Sequence, residues 1–148
     1  MMPPPSYMYY ARAGDHHVQV EVLRRAVSDD RPLESTLTAK VRRVFRSSLL
    51  RVGDQVRFGV KTYRKPNSFP PDAGGWIEAD CLNAVDYLEV ILNGPKDACT
   101  IAAFGALHRT IESPTDQPTI KVPSWAKVVL ASVAFSLHLP VRPWTWRD

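Results

Sequence analysis

The chain is poor in cysteine, in glycine and in long apolar runs, and each shortage removes a class of protein. Two cysteines, Cys81 and Cys99, in 148 residues are too few for a disulfide-framed secreted scaffold of this size. A single bridge between them stays open. No stretch reaches the roughly 20 apolar residues of a membrane-spanning helix. The longest, Trp125 to Leu139, is interrupted by Lys127, Ser132, Ser136 and His138. The opening MMPPPSYMYY has neither the basic stretch nor the continuous apolar stretch of a signal peptide. Its three consecutive prolines oppose a helix, so residues 1–14 are expected to form a flexible segment, and the default compartment is the cytoplasm. Phosphate-binding glycine loops, a GxSxG elbow, a dinucleotide fingerprint and CxxC, HxxxH or HExxH spacings are all missing. That weighs against a nucleotide-dependent enzyme, a serine hydrolase and a zinc centre, and no cofactor or metal is expected.

What remains is the composition of one globular domain. At 45% apolar and 23% charged residues, neither disorder nor a fibrous repeat is indicated, and the length suits one core rather than two. The net charge of +4 is unevenly spread. Residues 1–65 hold 13 Lys or Arg against 6 Asp or Glu, whereas residues 66–148 hold 6 against 9. A basic first half raises the prospect of an anionic partner, although charge of this kind governs steering rather than fold.

Period-two patterning dominates the chain. In HVQVEVL, Val18, Val20 and Val22 share one face and Gln19 and Glu21 the other, as in a half-buried strand. In LTAKVRRVFR, Leu37, Ala39 and Val41 alternate with Thr38, Lys40 and Arg42. One extra residue near Arg42 and Arg43 is then needed to return Val44 to the apolar face, which predicts a β-bulge. After a turn at Val52, Gly53 and Asp54, the segment QVRFGVKTY alternates again and suits a hairpin. Residues 64–75, RKPNSFPPDAGG, read as a long surface loop. GWIEADC reads as a short strand, LNAV as a turn or a single helical turn and DYLEVILNG as a further strand, with Gly105 marking a bend in CTIAAFGALHRTIE. Leu82, Val85, Leu88 and Ile91 also fit helical spacing, which leaves a helix over 80–92 as the competing reading. From Val129 to Leu139 every second residue is apolar, and a strand is favoured there.

Short strands, an early bulge and a basic outward face suggest a small closed or partly open barrel. The segments VRRVFRSSLLRVGDQVRFGV, DYLEVILNG and ACTIAAFGALHRTI resemble, in order and spacing, the netrin-like modules of the oligonucleotide/oligosaccharide-binding (OB) barrel type. The resemblance covers about residues 36–111 and rests on hydrophobic and turn pattern. Neither the disulfides of the secreted members nor the amino-terminal cysteine of the metalloproteinase-inhibitor branch is present, so no inhibitor activity is carried over. The likeness is to uncharacterised, cysteine-poor bacterial versions of the barrel, and a barrel of this kind hosts many functions. It implies an all-β class with minor α content: one domain, with the barrel over 15–121, an extra N-terminal strand, and residues 122–148 as a C-terminal extension packed on it.

Among candidate surfaces, the outward hairpin face collects Lys40, Arg42, Arg57 and Lys61. Arg46, Arg51, Arg64 and Lys65 lie at its ends and Tyr63 nearby. Cations beside an aromatic ring can track phosphates and stack a base, as single-strand-binding barrels do; the plainer reading is a solvated face that keeps sheet edges soluble. His16 and His17 are adjacent, so a strand points them to opposite faces and they cannot chelate one metal together. Cys81 and Cys99 suit small core positions. Glu78, Asp80, Asp86 and Glu89 could supply an acid/base pair but are equally explained as exposed strand and turn positions. The sequence therefore favours a non-enzymatic binding module with a protein partner, reached through exposed edges, the proline-rich loop or Trp144 and Trp146. The alternatives are a single-stranded nucleic-acid-binding barrel and a small enzyme with an unfamiliar pocket.

Overall fold

The structure, a computed structural model, describes residues 4–27, 34–63 and 75–140. These form α1 (Pro4–Ala13), β1 (His16–Val27), β2 (Glu34–Arg46), β3 (Gln55–Tyr63), β4 (Ile77–Glu78), α2 (Ala79–Leu82), β5 (Tyr87–Asn93), β6 (Thr100–Ile101), β7 (His108–Ile111) and α3 (Trp125–Ser136). With 42% strand against 21% helix and a strongly curled half-barrel sheet, the chain is mostly β and its barrel partly open.

Strands β1, β2 and β3 form an antiparallel meander, and β5 returns antiparallel along the free side of β1. The chain then swings across to β3, where Cys99 lies parallel to Phe58. Two main-chain bonds tie that crossing: Arg57 N–H to the Lys96 carbonyl at 2.8 Å, and Cys99 N–H to the Arg57 carbonyl at 2.9 Å. The curl follows from the bulge that the sequence predicts. Pairing passes from Val20 opposite Val41 to Gln19 opposite Arg43, leaving Arg42 unopposed, and a second irregularity skips Phe45. Each extra residue bends β2 and increases its twist.

Alternation delivers Val18, Val20, Leu37, Ala39, Val41, Val56, Phe58, Val60, Leu88, Val90 and Leu92 to one buried core. Helix α2 adds Leu82 at one end, and Arg25 ties down its C-terminus and the turn after it: its Nε donates to Leu82 O at 3.0 Å and its Nη2 to Val85 O. The apolar repeat from Leu82 to Ile91 is thus divided between a helical turn and β5. β6 and β7 both pair with β5, separated by a turn that contains Gly105 at φ 90°. Cys81 is exposed and Cys99 buried, and both are free thiols.

Three segments depart from the sequence reading. The strand read over GWIEADC is confined to Ile77–Glu78, and Ala79 to Cys81 belong to helix α2. Residues 125–136 form helix α3 where alternation predicts a strand. The segment is apolar around most of its circumference, so a period of two and a period of 3.6 both fit it. The deciding signal is Ser124 after Pro123: the Ser124 hydroxyl oxygen accepts from Lys127 N–H at 3.3 Å, an N-cap that starts a helix. Residues 4–13 form helix α1 where three prolines predict a flexible segment. Proline is tolerated in a first helical turn, because the amide it lacks would have no intrahelical partner there. The linker after α1 packs closely: a Cβ on Gly14 would lie 2.3 Å from Ile91 Cγ2. Tyr9 meets Trp125 edge to face at 5.8 Å, which joins α1 to α3.

Candidate functional site at the open seam of the barrel

Strand register brings Lys40, Arg57 and Lys61 to one outward face, as alternation requires, opposite Gln55, Thr38 and Glu34 respectively. They do not make an uninterrupted positive track. Arg42, at the bulge, is paired with Glu21 at 2.6 Å, and Lys61 Nζ donates to the Phe104 carbonyl at 2.7 Å. Of the four cations, only Lys40 and Arg57 lack a side-chain partner among the described residues. Arg46 donates to the Ala11 carbonyl at 2.9 Å; burial, then the neighbouring Arg12, lower its pKa and Asp15 opposes this. Arg51 is exposed, and Tyr63 is half-buried at the end of β3. Arg64, Lys65, Trp144 and Trp146 lie outside the described residues.

A concavity sits where the barrel fails to close. In the β2–β3 ladder the main-chain bonds fall on Val56, Phe58 and Val60, because Val41 N–H bonds Asp54 O and bonded pairs then recur at every second residue. Arg57, Gly59 and Lys61 therefore turn their N–H groups away from β2. Arg57 finds partners in the 96–99 segment, and β4 takes up the far end of β3 at Thr62 and Tyr63. Between these two contacts, the Gly59 amide and carbonyl and the Lys61 amide have no main-chain partner among the described residues. They border a cleft of about 530 Å³ whose other walls are Cys99 to Gly105, Asn93, Tyr10 and Glu34.

The far wall is conformationally strained. Ala103, Phe104 and Gly105 have φ of 55°, 54° and 90°, a left-handed run that costs about 1–2 kcal/mol at each non-glycine residue. The turn persists because Gly105 N–H bonds Ile101 O at 3.1 Å, Leu107 N–H bonds Ala102 O at 3.3 Å, and Lys61 reaches across the seam to Phe104 O. Gly75 backs it: a Cβ there would meet Gly105 O at 2.4 Å. His108 Nε2 bonds Gly75 O at 3.0 Å, and its imidazole pKa is lowered by burial, with the bond to Gly75 opposing. The result holds the Phe104 ring 70% exposed, edge-on to Tyr10 at 5.8 Å.

The titratable side chains that line the cleft are Tyr10, Glu34, Lys61 and Cys99. Its thiol, Cys99, is buried and donates to the Pro95 carbonyl at 3.0 Å; burial, then Asp15 and Asp97, raise its pKa, which suppresses the nucleophilic thiolate. The other polar constellation is sealed. Glu89 is fully buried and accepts from His17 Nε2 at 2.7 Å, Gln19 Nε2 at 2.8 Å, Thr119 N and Oγ1 at 2.8 and 2.6 Å, and Ile120 N at 2.7 Å. Burial alone would raise its pKa, but the bonds from His17, Thr119, Gln19 and Ile120 hold it down to about 2. Every lone pair is engaged, so Glu89 serves as a clasp that fixes the 112–122 connector to the sheet. His16 is similarly occupied, by Ser47 Oγ at 2.7 Å and Gly94 O at 2.9 Å. Among the described residues no three His, Cys, Asp or Glu side chains converge as metal ligands, and no helix is long and apolar enough to cross a membrane.

Sequence reasoning finds Lys61 but misses Gly59, Glu34, Tyr10 and Phe104. One signal was available: glycine within the alternation of RFGVK, which marks a close approach or an opening in a sheet. No family model matches the chain, and no curated protein matches its sequence.

Proposed function

We propose that the chain is a non-enzymatic binding module on an OB-type barrel, and that its seam takes an extended segment of a protein partner. The OB reading is supported by the order of pairing: a three-strand meander, a short helix, a strand returning beside the first, and a last segment parallel to the third, as in a five-stranded, partly open Greek-key barrel. The observation that carries the binding reading is that the Gly59 amide and carbonyl and the Lys61 amide have no main-chain partner among the described residues. An edge of this kind is a template for strand addition, and a peptide that adds to it gains main-chain bonds while its side chains meet Phe104, Tyr10, Lys61 and Glu34. Among the described residues of the candidate row, the partners already held by Arg42 and Lys61 leave only Lys40 and Arg57 free, which is short for a phosphate track. That ranks the oligonucleotide reading second.

Amide-resolved NMR tests the proposal. Gly59 and Lys61 amides should exchange with solvent much faster than those of Phe58 and Val60, which bond β2. Titration with blocked pentapeptides of alternating valine and threonine, carrying Asp, Ser or Lys at the centre, should shift Gly59, Lys61 and Phe104. An oligodeoxythymidine at about 50 mM salt, where phosphate contacts are strong, serves as the rival ligand. Salt-dependent shifts confined to Lys40 and Arg57 would favour it; protection of Gly59 equal to that of its neighbours would remove the seam.

A further inference from the structure

Helix α3 is held to the molecule along one side only. Val128 is its buried residue, and Tyr9 of α1 packs on Trp125. Across the helix lie Val129 at 57%, Leu130 at 68%, Val133 at 51% and Leu137 at 63% exposure. At 100° per residue these four and Ala126 fall within about 100° of arc. Ala126, Leu130, Val133 and Leu137 are spaced 4-3-4, the repeat of a helix–helix seam.

The chemistry of the stripe narrows its occupant. It contains no charge and no hydrogen-bonding side chain that would select a chemically distinct partner, whereas an identical stripe complements it under two-fold symmetry. Lys127, the one charged residue of α3, points about 60° away from the nearest stripe residue on the same angular count, so two copies would not oppose like charges. A bilayer surface is a poorer occupant, because interfacial helices carry a strongly cationic polar face and α3 has a single lysine. With Trp125 and Tyr9 (49% exposed) extending the patch, each copy offers on the order of 600 Å², so a pair buries about 1,200 Å², the lower end of specific interfaces.

We infer that α3 is a self-association element through which two copies of this chain pair across Ala126, Leu130, Val133 and Leu137. This inference is independent of the seam; buried area does not fix affinity, and the test is set for a reversible dimer with a dissociation constant of the order of micromolar.

Sedimentation equilibrium on the full chain, over about 1–200 µM to bracket that constant, should show a mass rising from 16.6 kDa towards twice that value. Leu130→Asp should stay monomeric throughout, at least tenfold weaker in association. Its circular dichroism and melting temperature should match the parent, because the side chain is exposed. Lys127→Ser, off the stripe, should associate like the parent. A parent chain that is monomeric at every concentration overturns the inference, as does a Leu130→Asp protein that still dimerises. Flotation of the monomer with anionic phospholipid vesicles, lost in Leu130→Asp, would overturn it in favour of a membrane surface. None of these results moves the Gly59 amide exchange, so the two proposals fail separately.

Discussion

Replacing Glu89 by glutamine changes one oxygen to an amino group and leaves shape and volume nearly constant, so its cost isolates the clasp between the sheet and the 112–122 connector. In the native protein Oε1 receives His17 Nε2 and Ile120 N, while Oε2 receives Gln19 Nε2, Thr119 N and Thr119 Oγ1. An amide nitrogen at the first site faces two donors. His17 can respond by changing tautomer, but the Ile120 N–H cannot. At the second site the Thr119 N–H and the Gln19 amide are both opposed, and Gln19 is not free to flip, because its Oε1 already accepts from Thr115 N at 2.7 Å. Either orientation therefore orphans at least one buried main-chain donor, worth about 1–3 kcal/mol, and replaces charge-assisted bonds with neutral ones.

We expect Glu89→Gln to lose about 3 kcal/mol, which for a chain of this size lowers the melting temperature by roughly 6–12 °C. Thermal unfolding followed by circular dichroism measures it. Hydrogen exchange should locate the damage at Thr115, Thr119 and Ile120 rather than in β2 and β3. A melting temperature within about 1 °C of the parent, against the several degrees that one orphaned donor implies, would refute the reasoning by showing that the connector re-satisfies its donors through water.

The same carboxylate sets an acid limit. Its folded pKa of about 2 lies below the ordinary 4.5, so its stabilisation is fully present above pH 4.5 and is lost as the pH falls from there through 2. It amounts to about 3 kcal/mol at neutral pH; denaturant titrations at pH 6 and pH 3 should show the loss of about 2 kcal/mol of it in the parent, the rest going only below pH 3, and a much flatter dependence in Glu89→Gln. Phe58→Ala, which empties the largest fully buried side chain, should cost about 3–5 kcal/mol, read as a lower denaturant midpoint with the sheet signature retained. Phe104→Gly should leave stability equal or raise it by up to about 1 kcal/mol, since glycine accepts the φ of 54° without strain. That variant should nonetheless weaken peptide-induced shifts at Gly59; a clear loss of stability would mean that the turn is not strained.

Legibility in the sequence tracked how far each feature depends on side-chain alternation. β1, β2 and β3 were legible because Val18, Val20 and Val22, then Leu37, Ala39 and Val41, then Val56, Phe58 and Val60 each withdraw one face from water. The bulge was legible because Val44 can return to that face only if a residue is skipped. Helix α3 was not, since a segment apolar on nearly every side carries no phase, and only the Ser124 cap separates the two periods. The clasp was illegible for a different reason. Glu89 alternates within DYLEVILN as an outward residue should, and nothing local shows that the outward side of β5 is roofed by residues thirty positions later.

The seam is harder still to read, because the groups proposed to bind there are main-chain atoms that every residue possesses. Whether Gly59 is paired or open is decided by where the 96–99 segment lands on β3 and where β4 begins. Both follow from the length of chain between elements rather than from any residue's character. Lys61 illustrates the limit. As a residue type it looked like one member of a phosphate-binding row, yet in the fold its ammonium crosses the gap to Phe104 O and holds a left-handed turn in place. If that strut matters as argued, Lys61→Met should release the turn while keeping most of the apolar stem. Exchange at Gly105 and Leu107 should then rise although the core amides of Val20 and Leu88 stay protected, and unchanged exchange at Gly105 would mean that the turn is held by its own hydrogen bonds alone.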